Sequence, residues 1–249
     1  MFSYQLFSSR NFPPLSDTLK MLAEVGYGGA EGFGGLYADK AGLADLSAGM
    51  KANGLKMRSG HFGIDQVEQT PDWAIEVATT LGMETVIVPW LHPDQRPKDG
   101  AGWHALGVRL QKAGAPIRAA GLQFGWHNHD FEFFKTPDGA IPQTALFEGG
   151  PDLKWEMDVA WVVRGGADPL AWIKDHAHRL VAAHVKDIAP AGENLAEDGW
   201  ADVGHGTVDW KTILPALRAV GVTNFVMEHD NPSDHRRFAT RALASAQSY

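Results

Sequence analysis

Short apolar segments alternate with longer amphipathic windows along the chain. The short segments are rich in β-branched and aromatic residues and end in polar ones, as buried parallel strands do. We predict strands over residues 3–6, 29–33, 56–61, 85–89, 123–129, 153–158, 181–186 and 224–229. The longer windows predict helices over residues 16–25, 41–53, 71–81, 102–120, 168–176, 208–220 and 233–246. The pattern therefore indicates a repeated strand–helix unit.

The joins between these units support the same organisation. Glycine past a helix end adopts the left-handed conformation without a Cβ clash. Five of the helical windows are followed by such a glycine, namely Gly26, Gly54, Gly82, Gly121 and Gly221. Eight units without a low-complexity linker favour an α/β fold, a single-domain (β/α)8 TIM barrel over residues 1–249. A doubly wound open sheet is the alternative, but no Gly-x-Gly-x-x-Gly run follows the first strand.

Composition limits the function classes. The chain has 249 residues, a formal net charge of −8 and no cysteine. Without thiols, chemistry must use histidine, carboxylates, lysine or hydroxyls. The acidic balance argues against a nucleic-acid partner. The N-terminus lacks a signal-peptide pattern and no run reaches the ~18 apolar residues of a membrane span, which predicts a cytoplasmic protein without a membrane partner.

Candidate chemistry concentrates where the predicted strands end. In a parallel barrel the active site lies at the carboxyl ends of the strands. Side-chain alternation directs five polar residues of the last three strands into the barrel, namely Glu156, Asp158, His184, Lys186 and Glu228. Converging carboxylates raise one another's pKa unless a cation compensates them. The pattern therefore predicts a cation at this end of the barrel.

A divalent metal ion is the cation that this ligand set favours. Oxygen-rich ligands with an imidazole suit Mn²⁺, Mg²⁺ or Co²⁺ and also admit Zn²⁺. We expect one bound divalent ion per chain, with Mn²⁺ as the first choice. The alternative is a network of salt bridges at the barrel mouth, with Lys186 and Arg164 as countercharges.

Five parts of the chain carry a resemblance to a known family. They are residues 126–133 (WHNHDFEF), 157–161 (MDVAW) with 166–169 (GADP), 184–187 (HVKD), 203–210 (VGHGTVDW) and 227–230 (MEHD). In this order they resemble the sugar phosphate isomerase/epimerase family of the xylose isomerase-like TIM-barrel superfamily. The resemblance implies a metal ion held by Glu132, Asp158, His184 and Glu228.

The identity of the metal ligand from the fifth strand stays open. Alternation from Gln123 sends His127 and His129 inward, whereas Glu132 is out of phase unless the strand bulges or ends first. Some branches of the family carry glutamate where this chain has His127. Glu132 is the ligand that we favour, and His127 is the alternative.

The resemblance implies a metal-dependent isomerase or epimerase whose partner is a small carbohydrate, a keto-sugar or a sugar phosphate. Removal of the proton beside the carbonyl gives an enediolate, which a metal ion stabilises. We assign catalytic roles to Glu132, Glu228, His127, His129 and Lys186. Substrate contacts are assigned to Glu31, His61, Trp90 and Trp161. For Glu31 and His61, a buried hydrogen bond that closes the barrel end is the alternative.

Other function classes use parts of the same site. If the enediolate expels a leaving group, the protein is a lyase or dehydratase that acts on a keto-inositol or keto-glycoside. The superfamily also contains endonucleases that cut at abasic sites, against which the net charge of −8 argues. A non-catalytic sugar-binding module would not require acids and a histidine to converge. A homo-oligomer is compatible with the sequence, which does not specify the assembly.

Overall fold

The computed structural model describes all 249 residues and contains a closed barrel. The strands are β1 (Phe2–Gln5), β2 (Gly29–Phe33), β3 (Ser59–His61), β4 (Thr85–Val88), β5 (Gln123–His127), β6 (Lys154–Asp158), β7 (Leu180–Val185), β8 (Asp187–Ile188), β9 (Trp200–Ala201) and β10 (Phe225–Met227). Eight of them close in the order β1-β10-β7-β6-β5-β4-β3-β2, and all pairs in this barrel are parallel. Strands β8 and β9 form a separate antiparallel ribbon. The predicted (β/α)8 barrel is confirmed, and the open-sheet alternative is wrong.

Helices surround the barrel. They are α1 (Leu15–Val25), α2 (Lys40–Ala52), α3 (Ile64–Gln69), α4 (Pro71–Leu81), α5 (Gly100–Ala113), α6 (Ala115–Ala119), α7 (Pro142–Gly149), α8 (Val159–Arg164), α9 (Pro169–His176), α10 (Trp210–Ala219) and α11 (His235–Gln247). An aspartate side chain accepts a first-turn N–H at the start of α2, α5, α9, α10 and α11. None of these helices combines the length and the apolar character needed to cross a membrane.

Two differences from the predicted elements have local causes. The helix predicted over residues 102–120 divides at Gly114, because Pro116 lacks the N–H that a continuous helix would use. Helices α3, α7 and α8 were not predicted. Six of the eight residues of α7 are buried, so it lacks the polar face that makes an amphipathic helix recognisable in a sequence.

The apolar core lies between the barrel and the helices. Trp155 and Met157 point outward from β6 and are fully buried. The ring of Trp155 packs against Phe147 of α7, with ring centres 5.4 Å apart. Because alternate side chains of a strand face opposite sides, Glu156 and Asp158 point into the barrel. Packing of the tryptophan against the helices thus positions the acids of the site.

Helices α5 and α7 cross at two glycines. A Cβ atom on Gly107 would overlap the carbonyl oxygen of Leu146, and one on Gly149 would overlap that of His104. The obstacle in both cases is backbone, which cannot rotate away. This contact fixes α7, the helix that leads into β6 with its two inward acids.

We expect Gly107→Ala to lower the free energy of unfolding by about 1–3 kcal/mol, the usual cost of overpacking. Gly49→Ala is the matched control, since it also lies inside a helix but its added Cβ would meet only Leu19 Cδ1, the end of a flexible side chain, at 2.6 Å. Urea unfolding of both variants and the native protein measures the difference. If Gly107→Ala proved as stable as Gly49→Ala, the close crossing of α5 and α7 would be contradicted.

Candidate active site and metal centre

Polar side chains fill the carboxyl end of the barrel. Most of them lie on the last inward position of a strand or directly after it, and almost no part of any of them is exposed. They are Glu31 of β2, His61 of β3, His127 of β5, Glu156 and Asp158 of β6, His184 of β7, Lys186 after β7 and Glu228 after β10. Strand register places His127 beside Glu156 and Asp158 beside His184. The barrel therefore brings together residues that are far apart in the sequence.

Four of these residues form an upper group, composed of His127, Asp158, His184 and Glu228. One candidate ligand atom from each lies within 4.8 Å of all the others. A cation bound at about 2.0–2.2 Å needs donor atoms at separations of this order. The upper group contains three of the four predicted ligands, with His127 in the place assigned to Glu132.

Asp158 is oriented by the start of α8. Its Oδ1 atom accepts the N–H of Trp161 at 3.0 Å as the helix cap. Its Oδ2 atom is buried and has no hydrogen-bond partner, and burial raises the pKa of this carboxyl against the charges of Lys186 and His184. A buried, unpartnered carboxylate oxygen aimed at two imidazoles and a second carboxylate fits a divalent cation.

A second group, called the lower group, adjoins the upper one and consists of Glu31, His61, Glu156 and the shared His184. Nε2 of His184 is 2.8 Å from Glu31 Oε1 and 3.2 Å from Glu156 Oε2. Nε2 of His61 is 3.1 Å and 2.7 Å from the same two atoms. The side chains of Gln5 and Ser59 also donate to Glu31. Glu31 is thus surrounded by donors of the protein itself, which agrees with the alternative that it forms buried hydrogen bonds and does not contact the substrate.

Charge compensation in the lower group is strong. Burial lowers the pKa of His61, but Glu31 and Glu156 outweigh it and raise the value to about 9. The same carboxylates, together with Glu228, raise the pKa of His184 against burial. Burial raises the pKa of Glu31, yet the two imidazoles bring it well below its ordinary value. The lower group is therefore a set of buried ion pairs.

Lys186 supplies the remaining positive charge. Its Nζ atom lies 2.7 Å from Asp230 Oδ1, 3.3 Å from Glu228 Oε2 and 3.9 Å from Asp158 Oδ2. Burial raises the pKa of Glu228, but Lys186 and His184 overcome it and hold the carboxyl ionised. Lys186 also lies 4.9 Å from the centre of the Trp161 ring.

Glu132 lies outside both groups. Its Oε1 accepts the Nε1–H of Trp126 at 3.1 Å, and its Oε2 accepts the backbone N–H of His129 at 2.9 Å. It is fully buried, and burial raises its pKa to about 8 despite these donors. Strand β5 ends at His127, two residues earlier than predicted. The chain after the strand turns, so that Glu132 braces its own loop.

Asn128 is a site residue that the sequence analysis missed. Its Oδ1 accepts the backbone N–H of Asp158 at 3.0 Å and the Nε1–H of Trp155 at 2.8 Å. Its Nδ2 donates to the carbonyl of Asp158 at 3.0 Å. The amide therefore ties the end of β5 to the end of β6. Its place between His127 and His129 in the HNH run was the available signal.

A cavity of about 440 Å³ opens above the upper group. It is lined by Phe7, Phe33, Gly34, His61, Phe62, Gly63, Pro89, Trp90, His127, His129, Glu228 and Asp230. Five predicted site residues are among these, namely His61, Trp90, His127, His129 and Glu228. The other predicted site residues do not line it, namely Glu31, Glu132, Asp158, Trp161, His184 and Lys186. Asp230, two residues after Glu228, was not assigned a role from the sequence.

Comparison with known proteins identifies the family. A family model described as xylose isomerase-like TIM barrel matches residues 19–247. The chain belongs to this family. The expectation drawn from the five sequence segments is thereby confirmed. No curated protein matches the chain by sequence.

Solved structures show the same fold at low identity. A sugar phosphate isomerase/epimerase from Parabacteroides distasonis has a TM-score of 0.82 and 20% identity, over 98% of this chain and 93% of that one. A probable 3-DHS dehydratase from Bacillus anthracis has a TM-score of 0.78 and 15% identity, over 99% and 98%. The IOLI protein, with a zinc atom, has a TM-score of 0.75 and 14% identity, over 99% and 95%. At these identities the likeness concerns the fold.

The position of Glu132 predicts a pH dependence of stability. Its pKa of about 8 in the folded chain lies above its ordinary 4.5, so between these values the folded state holds a proton that the unfolded state has released. This contribution to stability is complete below pH 4.5 and is lost as the pH rises through 8.

We therefore expect the free energy of unfolding of the metal-free native protein to fall with rising pH, relative to Glu132→Gln, which keeps the neutral form. Urea unfolding at pH 5, pH 7 and pH 9 tests this, and the difference between the two proteins removes contributions from other groups. A difference that stayed constant with pH would mean that Glu132 is ionised throughout.

Proposed function

We propose that this protein is a divalent-metal-dependent isomerase or epimerase of a keto-sugar, working through an enediolate. The observation that carries the proposal is the upper group, in which two imidazoles and two carboxylates converge and two of the four, His127 and Glu228, line a cavity. A cation held there would supply electrostatic stabilisation of the negative charge that develops on the substrate oxygens. The family of sugar-processing enzymes to which the chain belongs supports a small carbohydrate as substrate.

His127, Asp158, His184 and Glu228 are the proposed metal ligands. His127 replaces Glu132 because both carboxylate oxygens of Glu132 are occupied, one by Trp126 of β5 and the other by the backbone N–H of His129. Two carboxylates and two imidazoles suit Mn²⁺, and they are also acceptable to Co²⁺ and Zn²⁺. The zinc atom of the IOLI protein makes Zn²⁺ the second ion to test.

Proton transfer is assigned to Glu228 and His129. Both line the cavity, and they belong to barrel strands separated by two others, so they reach the substrate from different sides. Lys186 holds Glu228 ionised, the form that accepts a proton. Burial lowers the pKa of His129 to about 3, so its imidazole is neutral but weakly basic, and its role is to take up a substrate proton only as charge develops in the reaction. Glu132 acts on this pair indirectly, because it fixes the backbone of His129.

The ligand assignment predicts opposite results for two variants. We expect His127→Ala to weaken Mn²⁺ binding by about 100-fold or more, beyond the effect of losing a supporting residue. Glu132→Gln should leave the affinity nearly unchanged. Calorimetric titration of the metal-free proteins, with elemental analysis of stoichiometry, measures both. The reverse result would restore Glu132 as the ligand, and retained binding in Asp158→Ala with Glu228→Ala would remove the metal site altogether.

Reaction class can be read from hydrogen exchange. Metal-loaded protein incubated with its keto-sugar in D₂O should introduce deuterium at the carbon beside the carbonyl, also in recovered starting material. Glu228→Gln should abolish this exchange, because a neutral amide accepts no proton. NMR and mass spectrometry follow it. Products of unchanged mass apart from deuterium mean isomerase or epimerase, whereas loss of water or of an aglycone would assign a lyase.

A further inference from the structure

The cavity has two chemically different halves. The segments after β5 and β10 contribute imidazoles and carboxylates, represented by His127, His129, Glu228 and Asp230. The segments at the ends of β1 to β4 contribute four aromatic side chains, Phe7, Phe33, Phe62 and Trp90, and one imidazole, His61. Reacting groups therefore face one half of the cavity, and the other half contacts a part of the substrate that takes no part in the reaction.

The aromatic half offers exposed rings. Trp90 is 42% exposed and Phe7 is 36% exposed, which is unusual for side chains of this size. Phe33 packs edge-on against Phe7, with ring centres 5.4 Å apart, and Phe62 is fully buried behind them. Partly exposed rings at the wall of a cavity are suited to contact a flat, apolar group.

The cavity wall has no unpaired cation, because its one imidazolium, His61, is already paired with Glu31 and Glu156. No lysine or arginine lines it, whereas two carboxylates do, Glu228 and Asp230. Two arginines lie over rings of the aromatic half, and both donate to backbone carbonyl oxygens. The guanidinium of Arg10 lies 4.0 Å from the centre of the Phe7 ring and donates to the carbonyl of Phe7. That of Arg96 lies 5.6 Å from the centre of the Trp90 ring and donates to the carbonyl of Leu91. Lys186 is buried and is occupied by Asp230 and Glu228.

These observations argue against a phosphate group on the best substrates. A phosphate dianion requires arginine, lysine or a helix N-terminus as partner. In this cavity it would instead meet two carboxylates in a chain whose net charge is −8. The volume of about 440 Å³ lies within the 300–1,000 Å³ typical of sites for drug-sized ligands and leaves room beside a single sugar ring.

We infer that the substrate is an uncharged keto-glycoside whose aglycone or second ring is flat and apolar and stacks against Phe7, Phe33 and Trp90. The inference rests on the proposed function for the identity of the reacting ring. It adds what the non-reacting part must be, and it separates this protein from enzymes that recognise sugar phosphates.

Binding of inert compounds tests the inference without turnover. We expect phenyl β-D-glucoside to bind the Mn²⁺-supplemented protein about tenfold or more tightly than D-glucose, and D-glucose 6-phosphate to bind more weakly than D-glucose. Calorimetry or quenching of tryptophan fluorescence at physiological ionic strength measures the three affinities. Equal or tighter binding of the phosphate, or no binding of the phenyl glucoside, would overturn the inference.

Variants locate the contact. Trp90→Ala should reduce the affinity for phenyl β-D-glucoside by about tenfold and change that for D-glucose much less. Phe134→Ala is the matched control, because Phe134 is a 51% exposed aromatic that does not line the cavity, and it should leave the ratio of affinities unchanged. Phe7→Ala gives a second reading if Trp90→Ala folds poorly. A ratio unaffected by both cavity variants would contradict stacking on this wall.

The proposed function and this inference can be contradicted independently of each other. If deuterium exchange is absent from all keto-sugars while phenyl β-D-glucoside binds in the expected order, the enediolate mechanism is wrong and the aromatic half still binds a glycoside. If exchange occurs and the phosphate is the preferred ligand, the mechanism stands and the uncharged keto-glycoside is wrong as the substrate class.

Discussion

Burial of four carboxylates inside one barrel is the constraint on which the rest of the structure depends. Removing a carboxylate from water costs several kcal/mol unless a countercharge or hydrogen bonds compensate it. In the lower group, Glu31 and Glu156 are compensated by His61 and His184. In the upper group, the compensation is incomplete, because burial raises the pKa of Asp158 to about 7 despite Lys186 and His184, whereas the pKa of Glu156 in the lower group stays below its ordinary value. The chemistry proposed for the protein is located where the compensation stops.

His184 connects the two groups. Its Nε2 atom faces Glu31 and its Nδ1 atom faces Glu228, at 2.8 Å and 2.9 Å. Without a metal ion, the raised pKa of His184 keeps protons on both nitrogens. A cation would displace the proton from Nδ1, while Glu31 holds the one on Nε2, an arrangement common among metal-bound histidines. The buried position of Glu31 thus has a function in the site even though Glu31 does not reach the cavity. Ion pairs of the lower group hold the imidazole of the upper group in a fixed orientation.

The loop after β5 serves both the fold and the site. Asn128 bonds to the backbone of Asp158, and Glu132 bonds to the backbone of His129. Two polar residues of the HNHDFE run therefore position other residues: Asn128 positions Asp158 of the upper group, and Glu132 positions His129, which lines the cavity. Because roles are divided in this way within six consecutive residues, residue type alone does not distinguish a candidate ligand from a residue that positions the loop.

Much of the fold followed from the sequence because its signals are local. Glycines past helix ends and the spacing of apolar segments predicted eight strands, and the alternation in β6 predicted that Glu156 and Asp158 point inward. Those signals depend only on neighbouring residues and on the period of a strand. The predicted convergence of Asp158, His184 and Glu228 also needed no more than the parallel order of the strands.

Only the tertiary structure shows the residue at which each strand ends and the side chains that other strands place against it. Strand β5 ends at His127, so Glu132 lies in the following loop and bonds to the backbone of His129. No periodic pattern in the sequence marks the end of this strand. Glutamate and histidine both suit substrate contacts, but the partners of Glu31 and His61 come from other strands. Only the closed barrel therefore shows that His61 lines the cavity and that Glu31 does not. Sequence patterns record which face a side chain takes; its depth in the barrel is set by the strands packed around it.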